Sequence, residues 1–359
     1  MKKLIAVLLG TVLMVSGCGS PKATGGAKEG KYSSDTLKLY NWGEYMGENL
    51  ISDFEDQFGV KVIVEYFDSN EMMYTKLQAG DAYDVIVPSD YMIERLIKDN
   101  ALMKLDKSKI PNISNLAEGL PSTDVDPEND YTVPYFWGSV GIVYNKNTVP
   151  KELIEEEGFN ILKNTDYKGK IYMYDSERDS FMVALKALGY SMNTEDEGEI
   201  EEAYQWLKEL NDTMQPTYVT DEVIDNMMNG DKDLAVVYSG DATVVLDENP
   251  DMAFIMPKEG TNVWSDSMVI PANSENPELA HEFINYVLTY DASYGNSETV
   301  GYASSNQEVL DEMTAQGGLY YENEAYLPRT GYEKDEVFKD NAVLKQKLAE
   351  LWIKVKASK

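Results

Sequence analysis

The chain has 359 residues but only one cysteine and one histidine. No intramolecular disulfide can form. A serine–histidine–acid relay would have to use His281, which lies inside the helical stretch PELAHEFINYVL. No glycine-rich phosphate loop is present. These gaps argue against catalysis, a bound cofactor or a metal centre. Basic residues are also scarce: 31 Lys and Arg face 63 Asp and Glu, for a net charge of −32. That deficit disfavours nucleic acid and anionic lipid surfaces as partners. Beyond the first residues there is no long apolar run, so no spanning helix is expected in the mature chain.

The beginning of the chain is built differently. Lys2 and Lys3 precede an apolar run from Leu4 to Val15, and Ser16-Gly17 leads into Cys18. A basic start, a short apolar core and small residues describe a secretory signal, here residues 1–17. Val-Ser-Gly-Cys resembles a bacterial lipobox. Lipidation of Cys18 would explain a lone cysteine in an exported chain, and two acyl chains give a stable membrane anchor. Residues 19–34, GSPKATGGAKEGKYSS, have no apolar period and read as a flexible tether. Sixteen such residues reach roughly 20–24 Å. The first 34 residues hold five Lys and one Glu, so the remainder carries −36. A field of that sign suits cationic ligands, although most of these acids are expected to lie on solvated helix faces.

About 325 residues remain, more than one core usually holds, which points to two domains. Short β-branched runs alternate with helical patterns. Leu37–Tyr40, Val60–Tyr66, Asp84–Val87, Ser139–Tyr144, Lys170–Tyr174, Leu234–Tyr238, Ala253–Met256 and Met268–Ile270 read as strands. Helices are expected at Glu48–Phe58, Asn70–Gln78, Tyr91–Lys98, Phe181–Leu188, Glu199–Leu210, Pro277–Leu288 and Asn341–Lys356. The alternation predicts an α/β fold with mostly parallel sheets flanked by helices.

In open α/β sheets, ligands bind beyond the carboxyl ends of the strands. There the sequence repeats one chemistry. Asn41-Trp42-Gly43-Glu44-Tyr45 follows the first strand, and Pro88-Ser89-Asp90-Tyr91 follows the third. Asp175 to Asp179 follow KIYMY, Ser239-Gly240-Asp241 follow Tyr238, and Trp264-Ser265-Asp266 precede MVI. Aromatic walls suit the methylenes of a flexible amine, and carboxylates suit its ends. Aromatic faces also attract ammonium groups by about 0.5–2 kcal/mol each. Any one of these aromatics could instead be core, and Asp179 could be a first-turn acid of its helix. An acidic stretch, Asp124 to Asp130, lacks the glycine and the final glutamate of a calcium loop and reads as a solvated turn.

From about Leu37 onward the chain resembles the spermidine/putrescine-binding proteins of bacterial polyamine ABC importers. The resemblance rests on YNWGEY (40–45), SNEMMYTKL (69–77), DAYDVIVPSDY (81–91), VPYFWGSVGIVYNK (133–146), WSDSMVIPAN (264–273) and ETVGYASSN (298–306). It implies a two-lobed type II periplasmic-binding fold that closes on its ligand and presents it to a permease. The implied segments are lobe 1 at 35–138 and 266–308, lobe 2 at 139–265, and a helical region at 309–359 packed mainly on lobe 2. The implied ligand contacts are Trp42, Glu44, Tyr45, Ser89, Tyr91, Asp179, Tyr238, Trp264, Asp266 and Tyr302, with Tyr238 at a position that is Trp in some members. The partners implied are a polyamine and permease subunits, with the protein a monomer outside the cytoplasm.

Two departures leave the choice between spermidine and putrescine open. Some members have two acids three residues apart where this chain has Ser176 and Asp179, and a polar Gln near the C-terminus falls close to Lys339. A quaternary-amine or ferric-iron binder of the same fold, an extracellular enzyme and a polyamine sensor remain as alternatives. Acids at Glu44, Asp179 and Asp266 fit neither a quaternary-amine nor a ferric-iron site, and the lack of a nucleophile–base pair argues against the enzyme.

Overall fold

The computed structural model describes residues 32–120 and 126–358. The signal, Cys18 and most of the tether lie outside the described residues, as do Asp124 and Val125 of the acidic turn. Among the described residues no helix is long and apolar enough to cross a membrane.

The first stretch runs β1 (Thr36–Trp42), α1 (Leu50–Phe58), β2 (Lys61–Phe67), α2 (Asn70–Gln78), β3 (Val85–Ile86) and α3 (Asp90–Lys98). Local chemistry sets these limits. Leu50 and Phe54 bury one face of α1, and Gly59 ends it in the left-handed region, its N–H donating to the Glu55 carbonyl at 2.8 Å. Ser69 caps α2, its hydroxyl accepting from the Met72 N–H at 3.2 Å. β1 pairs in parallel with both β2 and β3.

A 14-residue strand, β4 (Thr132–Asn145), then leaves this sheet for another. The second stretch is α4 (Lys151–Glu157), β5 (Ile171–Tyr174), α5 (Glu177–Leu188), α6 (Glu197–Met214), β6 (Thr217–Val219), α7 (Glu222–Met228), β7 (Leu234–Tyr238), α8 (Ser239–Glu248) and β8 (Met252–Ile255). The chain returns along β9 (Val263–Val269), α9 (Pro277–Val287), α10 (Tyr290–Val300), β10 (Ala303–Ser304) and α11 (Gln307–Thr314), and ends in α12 (Ala342–Ala357).

The strand order is β2-β1-β3-β9-β4-β7-β5-β6, with β8 and β10 also paired to β4. β4 is the seam. Its residues 132–139 run antiparallel to β9, and its residues 140–145 run antiparallel to β7 and β8. Residues buried on either side form separate cores. One gathers Leu37, Phe54, Val85, Met268 and Phe283, and the other Ile142, Phe159, Phe181, Leu207 and Trp352. This is the two-lobed α/β architecture anticipated above.

Two expectations need correction. Strands were expected at 139–144 and 268–270, but β4 begins at Thr132 and β9 at Val263. Pro134 and the polar pair Ser265-Asp266 hide the extended backbone, and the register shifts between Pro134 and Phe136, as expected where a donor is missing. Trp264 and Asp266 therefore share one strand instead of straddling a boundary at 265/266. The C-terminal region is also divided. α11 packs on α10 and β10, beside the first core, whereas α12 packs on α5 and α6. Between them, Glu336 bridges the seam: its N–H donates to the Thr261 carbonyl and its carbonyl accepts from the Val263 N–H, both at 2.9 Å.

His281 has a structural task. Its Nε2 accepts the backbone N–H of Asp106 at 2.9 Å, so the proton sits on Nδ1, which donates to the Pro277 carbonyl at 2.6 Å. Asp126 likewise closes its own turn, accepting the N–H groups of Asp130, Tyr131 and Thr132 at 2.8–3.0 Å.

Candidate functional site

The loops at the carboxyl ends of the strands converge where the two sheets meet at β4. On the first wall, Asp266 projects from β9 and is buried. The Tyr45 hydroxyl donates to Asp266 Oδ2 at 3.0 Å, and Ser89 forms a backbone bridge with Asp266. Burial pushes the Asp266 carboxyl up to about 6, against the opposing bonds from Ser89 and Tyr45. Ser89 is fixed by Asn70, which accepts its N–H and donates to its hydroxyl, both at 3.1 Å. The Tyr45 carbonyl accepts the Tyr135 hydroxyl at 2.8 Å.

On the opposite wall, Asp179 sits in the first turn of α5. Ser176 caps that helix and also donates to Asp179 Oδ2 at 2.7 Å. The Tyr238 hydroxyl donates to the same oxygen at 2.8 Å. Asp179 is therefore a first-turn acid of α5, as one reading had it, and the Tyr238 bond ties it to β7, next to the seam strand β4.

Aromatic rings join the walls. Tyr45 meets Tyr302 edge to face at 5.6 Å, Tyr302 meets Trp264 at 5.1 Å, and Trp264 meets Tyr238 at 6.2 Å. Two glycines make room for them. A Cβ at Gly138 would lie 2.5 Å from the Trp264 ring, and one at Gly240 would lie 2.5 Å from the Tyr302 ring. At the Tyr238 end of this line, Val140, Tyr174 and Asp179 close around a narrow gap. Burial raises the hydroxyls of Tyr45, Tyr238 and Tyr302 well above the ordinary phenol range, so they stay protonated donors.

Residues 49–321 match the family described as bacterial extracellular solute-binding protein. The chain belongs to that family. It is 38% identical over 307 residues to the spermidine/putrescine-binding periplasmic protein of Escherichia coli K12, covering 84% of this chain and 87% of that one. Two solved structures are similar throughout. A candidate spermidine/putrescine ABC transporter protein of Listeria monocytogenes superposes with a TM-score of 0.78 at 34% identity, over 91% of this chain and all of that one. The Tp0655 lipoprotein of Treponema pallidum gives 0.73 at 29%, over 89% and 99%.

In this solute-binding protein, Tyr45, Ser89, Asp179, Tyr238, Trp264, Asp266 and Tyr302 come together. Three expected contacts stand differently. The Trp42 indole N–H is committed to the Val87 carbonyl at 2.9 Å and its ring packs on Phe67. Glu44 is exposed, at a left-handed turn with φ 50°. Tyr91 donates to Glu71 at 3.2 Å, and the Arg178 guanidinium covers its ring at 3.5 Å. Its face is therefore taken by a cation of the protein itself.

Sequence reasoning passed over Asp241, although it stands in the Ser239-Gly240-Asp241 loop. Its Oδ1 accepts the Tyr302 hydroxyl at 3.3 Å. Burial and then repulsion from Asp221 push its carboxyl up to about 7. Acids in the first turn of a helix that follows a strand were the usable signal. Arg178 and Glu71 were also passed over. Arg178 pairs with Glu71 at 3.6 Å, and Lys345 of α12 pairs with the same carboxylate, tying the second wall and the C-terminal helix to α2.

Proposed function

We propose that this chain captures a linear polyamine, putrescine or spermidine, between its lobes and hands it to an ABC permease. The supporting observation is the line of rings from Tyr45 through Tyr302 and Trp264 to Tyr238, with carboxylates at both ends, Asp266 and Asp179. A diamine offers ammonium groups to the acids and methylenes to the rings. The relative from Escherichia coli carries spermidine and putrescine in its name.

The lobes are read as 35–138 with 266–308 and as 139–265, with the second crossover moved back to the start of β9 at Val263 so that this strand stays whole. Tyr45, Ser89, Asp179, Tyr238, Trp264, Asp266 and Tyr302 form the ligand-binding set, with Trp42, Glu44 and Tyr91 around it. No catalytic role is assigned to any residue. Cys18 is read as a lipid anchor holding the monomer outside the cytoplasm, a reading supported by the lipoprotein description of the Treponema relative.

Isothermal titration of the compact unit from Tyr32 to Lys359 with putrescine, spermidine, spermine, choline and ferric citrate tests the reading. Heat is expected with at least one polyamine and none with choline or ferric citrate. No heat with any polyamine would sink the proposal.

A further inference from the structure

Among the described residues, Asp90 is a buried carboxylate beside this set that has no task in it. Asp90 opens α3 directly after Ser89 and is 3% exposed. Its Oδ1 accepts the Tyr91 N–H at 2.6 Å. Its Oδ2 is buried with no hydrogen-bond partner among the described residues. A buried acid oxygen without a donor is costly, so it calls for an explanation.

The surroundings define what would satisfy it. The Ser89–Asp266 bridge places Asp90 one residue from the strand position that carries Asp266, and the two acids repel each other. From α5, across the seam, Arg178 attracts Asp90, but its guanidinium is spent on the Tyr91 ring at 3.5 Å and on Glu71 at 3.6 Å. Glu71 is further shared with Lys345 of α12. From β9, the Ser265 backbone N–H is a weak compensation. Burial is the largest influence and, with Asp266 adding to it, pushes the Asp90 carboxyl up to about 8.

We propose that Asp90 is a second cation-binding carboxylate of the cleft, receiving the same ammonium group as Asp266 and holding a proton until that group arrives. The inference rests on the polyamine reading and extends it. Two acids that share a site do not both ionise cheaply, so a proton stays on the pair. An incoming primary ammonium brings one positive charge and three N–H donors. The Asp90 O–H bond breaks, its proton passes to solvent, and the carboxylate accepts an N–H from the ligand. A quaternary ammonium has no N–H and cannot do this, so the pair also selects for primary amines. Because binding needs Asp90 ionised, affinity should rise with pH up to about 8.

The test is titration with putrescine at pH 7 in phosphate and in Tris, whose ionisation heats differ, for the wild type, Asp90→Asn and Asp90→Ser. The wild type should release a proton, seen as a binding heat that depends on the buffer. Asp90→Asn should lose most of that release and bind tenfold or more weakly at pH 8, with a smaller loss at pH 6. The ligand-free variants should melt no lower than the wild type, since a buried acid without a partner has been removed. Wild-type binding with no proton release overturns the proposal. So does an Asp90→Asn protein with unchanged affinity; in both cases the polyamine reading stands. If neither variant folds, wild-type proton release followed from pH 6 to pH 9 decides: a maximum near 8 supports the proposal, and a maximum at 7 or below, where Asp241 and Asp266 lie, overturns it. If the wild type binds no polyamine, both readings fall.

Discussion

Asp266 and Asp179 each accept a tyrosine hydroxyl, at 3.0 and 2.8 Å, yet they are held by different means. Asp266 stands in the middle of a sheet, on a strand paired along its whole length with β4. There its charge is opposed by burial, and only Tyr45 and Ser89 support it. Asp179 stands at the start of α5, where free N–H groups favour a negative charge, and both Ser176 and Tyr238 donate to its Oδ2. Neither of those bonds uses Oδ1. A cation therefore does more for Asp266, which lacks other compensation, than for Asp179, which is already served by its own helix. On this comparison the first wall anchors the ligand and the second completes closure.

The largest effect should come from Asp266→Asn. Removing one partner of a buried charged pair costs about 3–5 kcal/mol, and each 1.4 kcal/mol is about tenfold in affinity. Polyamine binding measured by titration should weaken about a hundredfold or more. Affinity of the wild type should also fall below about pH 6, because a carboxyl raised to that value takes up a proton as the pH drops through it and ceases to attract the ammonium. In the ligand-free protein the sign is opposite. The folded state holds protons on Asp266 at pH values where the unfolded chain has lost them, so stability should decline as pH rises from about 4 to 6.

Asp179→Asn should cost less, about tenfold. The substituted amide still occupies the first turn, and Ser176 still caps the helix. If Asp179→Asn weakened binding as much as Asp266→Asn, the two walls would be equivalent anchors and the comparison would fail.

How far this was readable beforehand depends on the physics involved. Elements set by local signals were legible: α2 carries its Ser69 cap and α1 its Gly59 stop in the sequence itself. Strand β9 was legible only at its apolar end, because Trp264, Ser265 and Asp266 are buried polar or amphipathic residues that carry no β pattern. The site divided in the same way. Residues at strand ends could be placed on one level, which brought Tyr45, Asp179, Tyr238 and Asp266 together. Which side chain faces the seam was not legible, because it depends on partners far along the chain. Trp42 turned to the Val87 carbonyl, and Tyr91 was covered by Arg178, 87 residues further on. Asp90 and Asp241 carried one local signal, their place in the first turn of a helix that follows a strand, and ordinary capping acids share it.

Lys339→Ala should have the smallest effect and sharpens the comparison from outside. Lys339 lies near a position of the resemblance that is polar in some relatives, which made it a candidate for ligand length. Its side chain is exposed, and its one hydrogen bond among those described is made by the backbone, whose N–H donates to Asn193 at 3.0 Å. The neighbouring Asp340 and Phe338 do the bridging there. Asp340 donates its N–H to Glu94 at 2.9 Å, and Phe338 packs against the cores on both sides of the seam. Truncating an exposed lysine side chain leaves all of these in place, and exposed charge contacts are worth about 0–1 kcal/mol. Affinity for putrescine should change by about twofold or less. A loss matching that of Asp266→Asn would mean that the ligand lies along residues 336–345 and not along the ring line, and the assignment of the two walls would have to be abandoned.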